Sequence, residues 1–124
     1  MARIVIIDDE SSIRSLLDRA MTAAGHEVFA AANGRAGMEL VRQHDAELVI
    51  TDIFMPEQEG VETIQEIRAV RPALPIIAIS GGGRFEQHNL LQVAQALGAN
   101  AALKKPFDIK ELYEAVDAAL GDEN

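Results

Sequence analysis

The fold class of this chain follows from one stretch near its start, Ile4-Val5-Ile6-Ile7-Asp8-Asp9-Glu10. Four β-branched apolar residues in succession predict a strand that is covered on both faces, which is typical of a parallel sheet. The abrupt change to acidic residues indicates the end of this strand, and we predict it over residues 3–8. Helices must then cover both faces of the sheet.

The rest of the chain repeats this pattern, alternating short β-branched runs with longer stretches of helical periodicity. We predict further strands over residues 27–31, 47–51, 76–79 and 100–103. A helix is expected between each pair of strands and another after the last strand. The residues expected on the inner helix faces are, in order, Ile13, Leu16, Leu17, Ala20 and Met21; Ala36, Leu40 and Val41; Val61, Ile64, Ile67 and Val70; Leu90, Val93, Ala94 and Leu97; and Leu112, Ala115, Val116 and Ala119.

Polar residues at the expected helix ends support these boundaries. Ser11 or Ser12 can cap the first helix and Asn33 the second. Asp108, followed three residues later by Glu111, predicts a capping box for the last helix. Gly98 indicates the end of the fourth helix.

Five strands alternating with five helices predict a three-layer, doubly wound α/β domain with right-handed crossovers. We expect the flavodoxin-like strand order 2-1-3-4-5. No linker or repeat interrupts the chain, so we predict one domain over residues 1–124, with 121–124 as a frayed tail and no DNA-binding or enzymatic output domain.

Composition narrows the classes of partner and compartment. The chain has 124 residues, a formal net charge of −9 and no cysteine. The negative charge disfavours binding to nucleic acid or to an anionic membrane, so proteins are the expected partners. The chain shows no membrane-spanning run or signal peptide, which together with the missing cysteines leads us to expect a cytoplasmic protein.

Polar groups follow four of the predicted strands. The strands end in Asp8-Asp9-Glu10, Thr51-Asp52, Ser80-Gly81 and Lys104-Lys105-Pro106. In a parallel sheet these ends meet at one edge, where ligands of open α/β sheets bind. Carboxylates crowded there repel one another and suit a hard cation, Mg²⁺ or Mn²⁺. Each group alone is better explained as a turn, capping or surface residue, and only their conjunction favours a site.

The same residues resemble the response-regulator receiver family over essentially the whole chain. The opening acidic pair Asp8-Asp9 is similar to that of the family. The run Asp52-Ile53-Phe54-Met55-Pro56-Glu57-Gln58-Glu59-Gly60 resembles its D-x-x-M-P-x-x-x-G signature, and Ser80 and Lys105-Pro106-Phe107 fall at its later motif positions. The resemblance implies a single-domain regulator of two-component signalling.

The resemblance also implies a role for each site residue. Asp52 is the expected phosphoacceptor and a metal ligand, Asp9 binds Mg²⁺ directly, Asp8 acts through water, and the backbone carbonyl of Phe54 completes the set. Lys105, rather than Lys104, is expected to neutralise the phosphoryl group.

The resemblance implies two further features near this lysine. The bond that joins Lys105 to Pro106 is expected to be cis, as is typical of the family. The Ser80 hydroxyl is expected to bond to the phosphoryl oxygens and to move the loop that follows strand four.

The expected switch region departs from the family. Ala102 occupies a position that is often aromatic, and Gly81 one that is commonly alanine. We hypothesise that the segment containing Gly81 and Phe85 is mobile and that Phe85 substitutes as a packing reporter. A flexible loop without a signalling role explains the glycines equally well.

Three functions are compatible with these residues. The first is a phospho-controlled binding module, phosphorylated by a sensor histidine kinase or a phosphotransfer protein, that switches a surface for an unknown target protein. The second is a phosphorelay intermediate that passes its phosphoryl group to a histidine domain. The third is an aspartate-based phosphohydrolase, which is disfavoured because Asp8-Asp9 is not a D-x-D pair. We therefore expect no enzyme activity beyond self-phosphorylation and self-dephosphorylation.

Overall fold

The computed structural model describes residues 1–53, 59–81 and 87–121. It contains five strands alternating with five helices. Their bounds are β1 (Arg3–Ile7), α1 (Ser11–Ala23), β2 (Glu27–Ala31), α2 (Gly34–His44), β3 (Leu48–Asp52), α3 (Glu59–Val70), β4 (Ile76–Ser80), α4 (Gln87–Leu97), β5 (Ala101–Lys104) and α5 (Ile109–Ala119).

All four strand pairings are parallel, and the strand order is β2-β1-β3-β4-β5. The predicted α/β fold and the predicted strand order are therefore confirmed. The order reverses between β1 and β3, whose register pairs Ile7 with Thr51. The residues that follow this pair, Asp8 and Asp52, accordingly lie side by side at the carboxyl edge of the sheet.

The apolar strand residues alternate between two separate cores. On one face Ile4 and Ile6 pack with the buried side of α1 and α5, which includes Leu17 and Leu112. On the other face Val5, Ile7 and neighbouring strands pack against α2, α3 and α4. Burial on both faces explains why β1 has no polar alternation, and it leaves the carboxyl edge as the place where polar groups collect.

The capping predictions are confirmed at the second and last helices. The Asn33 side chain accepts a hydrogen bond from the backbone N–H of Ala36 at 2.9 Å. Asp108 and Glu111 form a capping box with both of its hydrogen bonds. Gly98 follows α4 with a φ of 113°, a backbone conformation that L side chains rarely adopt.

The predicted cap of the first helix is wrong. Helix α1 begins at Ser11, so that Ser11 and Ser12 lie inside its first turn, and the N-cap is Glu10, which makes no side-chain capping bond. The Glu10 backbone N–H is held instead by the Asp8 carboxylate at 2.9 Å. This bond starts the helix one residue earlier than the serines suggest.

Three residues expected on inner helix faces are exposed, and one of them is Ala36 in the first turn of α2. Leu16 on α1 is 37% exposed and Val70 at the end of α3 is 49% exposed. Leu16 is adjacent to the buried Leu17, and the helix turns it away from the sheet, while Val70 lies where α3 passes beyond the core. Strand ends also differ from the predictions by one residue at β1, β3, β4 and β5, as expected where hydrogen-bond ladders fray.

No helix in the described ranges is both long enough and apolar enough to cross a bilayer. The predicted frayed tail falls mostly outside the description, because residues 122–124 are not described and Gly121 forms a turn after α5.

Candidate functional site

Two buried carboxylates lie at the switch point of the sheet. Asp8 follows β1 and is 0% exposed, and Asp52 ends β3 and is 3% exposed. Their backbones are fixed by the flanking strands, because Asp8 N–H donates to Ala31 O at 3.1 Å and Ile53 N–H donates to Ile79 O at 2.8 Å. The parallel sheet therefore holds two carboxylates at defined positions where they have little access to water.

Lys105 brings a positive charge to these acids. Its backbone N–H donates to Ser80 O at 2.7 Å, which places it directly after β5 beside the end of β4. Its Nζ lies 2.9 Å from Asp52 Oδ2 and 3.1 Å from Asp8 Oδ2. The bond from Lys105 to Pro106 is cis. The structure thus brings together residues 8, 52 and 105, which are far apart in sequence.

Glu10 completes this group, and the sequence did not assign it a role. Its Oε1 lies 2.7 Å from Lys105 Nζ, and its side chain is 56% exposed. The available signal was its place in the acidic run, but the direction of a side chain at a strand-to-helix junction is not set by periodicity. Arg14, also unassigned, donates to the Asp8 backbone carbonyl at 2.7 Å and holds α1 against this junction.

Charge and burial act in opposite directions on these groups. Burial raises the pKa of Asp8 and the nearby Asp52 raises it further, while the Glu10 backbone N–H and Lys105 partly offset the rise. Burial alone would lower the pKa of Lys105, but hydrogen bonds to Glu10 and Asp52 outweigh it and raise that pKa above its ordinary value. Lys105 therefore stays charged, and one cation is shared among three acids.

The acid group fits a divalent cation. Asp8, Glu10 and Asp52 each offer a carboxylate oxygen, and these oxygens lie within 4.8 Å of one another. Among the described residues, Asp8 Oδ2 is the buried side-chain atom without an assigned hydrogen bond, and its contact is the 3.1 Å ion pair with Lys105 Nζ. Hard oxygen donors with such an unsatisfied atom suit Mg²⁺ or Mn²⁺.

The other predicted site residues differ in their burial and in their distance from the acid group. Ser80 is buried at the end of β4, and its hydroxyl donates to Gly81 O at 3.2 Å. Asp9 is exposed, and in the described part of the chain the three-acid group contains Glu10 in its place. Ala102 is partly buried against the core on the α2–α4 face.

Two predictions concern residues that the structure does not describe. The Phe54 carbonyl, predicted as a metal ligand, and Phe85, predicted as a packing reporter, lie outside the described residues. Gly81 is described and half-buried, but it directly precedes the segment that contains Phe85.

Comparison with known proteins identifies relatives of this chain. The sequence model of the response regulator receiver domain matches residues 4–117. The chain is 37% identical over 121 residues to the DNA-binding transcriptional regulator NtrC of Azospirillum brasilense, covering 96% of this chain and 24% of NtrC. It is 31% identical over 114 residues to sporulation initiation phosphotransferase F of Bacillus subtilis, covering 92% of this chain and 90% of that protein. The chain thus spans about a quarter of the length of its NtrC relatives.

Solved structures show the same architecture. A response regulator receiver domain protein from Clostridium thermocellum superposes with a TM-score of 0.86 at 28% identity, covering 98% of this chain and 95% of that one. The chemotaxis protein CheY4 of Vibrio cholerae superposes with a TM-score of 0.85 at 28% identity, covering 97% and 99%. With one family model matching from β1 to α5, the chain belongs to the response regulator receiver domains of two-component signalling.

Proposed function

We propose that Asp52 accepts a phosphoryl group from a phosphohistidine of a sensor histidine kinase or a phosphotransfer protein, in a reaction that depends on Mg²⁺. The observation that supports this most directly is the pairing of the buried Asp52 carboxylate with Lys105 Nζ at 2.9 Å. An ionised carboxylate is a competent nucleophile, and the neighbouring ammonium offsets negative charge on the transferred group.

The proposed phosphoryl transfer involves no change of oxidation state. A carboxylate oxygen of Asp52 attacks phosphorus, and the bond from phosphorus to the donor nitrogen breaks. The electron pair of that bond leaves with the donor imidazole, and Asp52 becomes an acyl phosphate. Catalysis of this kind rests on positioning and on charge stabilisation. Lys105 supplies one positive charge from the end of β5.

Asp52, Asp9 and the Phe54 carbonyl are the groups that the family pattern assigns to the cation, with Asp8 acting through water, whereas the 2.7 Å contact with Lys105 assigns Glu10 to the lysine. A bound Mg²⁺ would offset charge on the phosphoryl oxygens and relieve the repulsion among the acids. The unsatisfied Asp8 Oδ2 is the feature of this chain that supports the assignment.

Phosphorylation would then change a protein-binding surface through Ser80. In the described state its hydroxyl donates to the neighbouring Gly81 carbonyl. A phosphoryl group on Asp52 offers a stronger, charged acceptor. Turning of the Ser80 hydroxyl toward that acceptor would displace the end of β4 and the residues leading to α4, and with them the surface of α4, β5 and α5 that a target protein reads.

A phosphorelay intermediate is the second candidate. The relative named a phosphotransferase is covered over 90% of its length, whereas the transcriptional regulator NtrC is covered over 24%. Transfer from Asp52 to a histidine phosphotransfer domain would distinguish this role. We propose no turnover of external phosphate esters, so the protein would not act as a phosphohydrolase.

The direct test is incubation with a small phosphodonor and Mg²⁺, followed by intact mass measurement. We expect wild-type protein to gain one phosphoryl group and Asp52→Asn to gain none. Asp117→Asn, at an exposed position of α5, is the matched control and should behave as wild type. Equal labelling of wild type and Asp52→Asn would contradict the proposal.

The same phosphorylated protein tests the relay. It is mixed with a histidine phosphotransfer protein, and label is followed onto that protein. Appearance of label there would favour the relay role, and retention on Asp52 would favour the binding module.

A further inference from the structure

The Lys105 ammonium contacts three carboxylates at unequal distances. Its Nζ lies 2.7 Å from Glu10 Oε1, 2.9 Å from Asp52 Oδ2 and 3.1 Å from Asp8 Oδ2. Its shortest contact is thus with the exposed acid at the rim, and not with either buried acid. The Lys105 side chain is only 12% exposed, so these contacts are the principal solvation of its charge.

The backbone of Glu10 directs its side chain toward this lysine. Its N–H donates to Asp8 Oδ1 at 2.9 Å, and its carbonyl accepts from the Arg14 N–H at 3.0 Å in the first turn of α1. Glu10 is the N-cap of that helix, yet its side chain makes no capping bond. The backbone is therefore fixed on both sides, and the carboxylate is available to Lys105.

We propose that Glu10 is a positioning residue that holds Lys105 at the rim of the site and competes with the incoming phosphoryl group for the same ammonium. The inference rests on the proposed phosphorylation of Asp52. Before transfer, Glu10 and Lys105 form a pair at the mouth of the site. As the phosphoryl group bonds to Asp52, Lys105 turns to its oxygens and the Glu10 carboxylate is released to solvent.

The direction of the change in phosphorylation rate distinguishes this competition from a role of Glu10 in metal binding. The Glu10 charge repels an anionic phosphodonor and retains Lys105, so removal of that charge should accelerate phosphorylation. If Glu10 were a metal ligand, its removal would weaken Mg²⁺ binding and slow the reaction. The two roles therefore predict opposite changes in rate.

The test compares Glu10→Gln with Glu27→Gln and with Glu10→Asp. Glu27 is exposed at the start of β2, at the opposite edge of the sheet, so its substitution makes the same change in net charge away from the site. Three quantities are measured on the full chain: the phosphorylation rate with a small anionic phosphodonor, the affinity for Mg²⁺ alone by calorimetry, and the Nζ resonance of Lys105. The chain has only three lysines, Lys104, Lys105 and Lys110, so single substitutions assign the resonance.

We expect Glu10→Gln to be phosphorylated roughly twofold to fivefold faster than wild type. This range corresponds to the interaction free energy of partly exposed ion pairs. This advantage should shrink with added salt, because screening weakens the interaction. In Glu10→Gln the Lys105 resonance should shift, while the affinity for Mg²⁺ should stay close to that of wild type. Glu10→Asp should be phosphorylated at a rate near that of wild type. Glu27→Gln should change none of these quantities.

The failures are distinguishable. An unchanged or slower rate for Glu10→Gln, a fixed Lys105 resonance, or an equal effect of Glu27→Gln overturns the inference while leaving phosphorylation of Asp52 intact. Absence of phosphorylation in wild-type protein overturns the proposed function and this inference with it.

Discussion

A partly buried cation lies at each of the two edges of the sheet, and the two have opposite kinds of surroundings. At the carboxyl edge Lys105 contacts three carboxylates. At the opposite edge the partners of the Arg68 guanidinium among the described residues are neutral oxygens: the carbonyls of Gly98 at 2.9 Å, Arg71 at 3.1 Å and Pro72 at 3.0 Å, and Asn100 Oδ1 at 3.0 Å. Both cations join elements that are distant in sequence.

The difference shows how one fold can be fixed at one edge and responsive at the other. Arg68 joins the carboxyl ends of α3 and α4, where helix dipoles favour a cation. Asn100 extends this joint by accepting the Ile76 N–H at 2.8 Å, so the starts of β4 and β5 are included. Lys105 instead faces excess negative charge, and under the proposed function a phosphoryl group on Asp52 would change its preferred partner.

The largest expected effect comes from removing the cation at the carboxyl edge. Lys105→Ala should slow phosphorylation of Asp52 on the order of 100-fold, because a donor aimed at the developing charge is lost. Quenched-flow or time-resolved mass measurement gives the rate, and thermal unfolding checks that the variant is folded. Lys104→Ala is the matched control. A folded Lys105→Ala variant that is phosphorylated as fast as the control would contradict the assignment.

Removing the cation at the opposite edge should affect stability and not chemistry. Arg68→Met keeps an apolar stem but leaves several carbonyls without their donor, and we expect a loss of about 2 kcal/mol in the free energy of unfolding. Urea denaturation measures this loss, with Arg19→Met on the exposed side of α1 as control. The phosphorylation rate of the folded variant should stay near that of wild type, and a large drop would show that the two edges are coupled.

A smaller effect is expected from neutralising one acid. Without metal, Asp8→Asn should stabilise the fold by about 1 kcal/mol at neutral pH, because the buried carboxylate is incompletely satisfied. The pKa of Asp8 is raised in the folded protein, so wild-type stability falls as pH rises from the ordinary pKa of the group to the raised one. The advantage of the variant should therefore vanish well below pH 3.8, the ordinary pKa of the group.

Unfolding measured against pH, with and without Mg²⁺, checks this prediction. Added Mg²⁺ should stabilise wild type more than Asp8→Asn. A variant that is less stable than wild type in metal-free buffer at neutral pH would show that the Asp8 charge is fully compensated by Lys105.

The layout of this fold could be predicted because it depends on short-range patterns. Continuous apolar strands indicated a sheet covered on both faces, and the Asn33 cap and the Asp108 capping box were readable from spacing alone. The convergence of residues 8, 52 and 105 followed from the rule that parallel strands end at one edge.

The errors have a common cause, which is that side-chain direction at junctions depends on tertiary contacts. Ser11 has a suitable hydroxyl, but the Asp8 carboxylate binds the Glu10 N–H and moves the helix start. The same bond helps to direct Glu10 toward the site, where it lies with Asp8 and Asp52. Periodicity also could not show that α3 carries Val70 beyond the core.

The backbone bond from Lys105 N–H to Ser80 O makes the ends of β4 and β5 mechanically dependent on each other. A ligand that displaced the Lys105 ammonium would also displace the Ser80 carbonyl through this hydrogen bond. A displacement of the Ser80 side chain would in turn move the end of β5. Two side chains of unlike chemistry would thus respond to one event in step, without any aromatic residue in between.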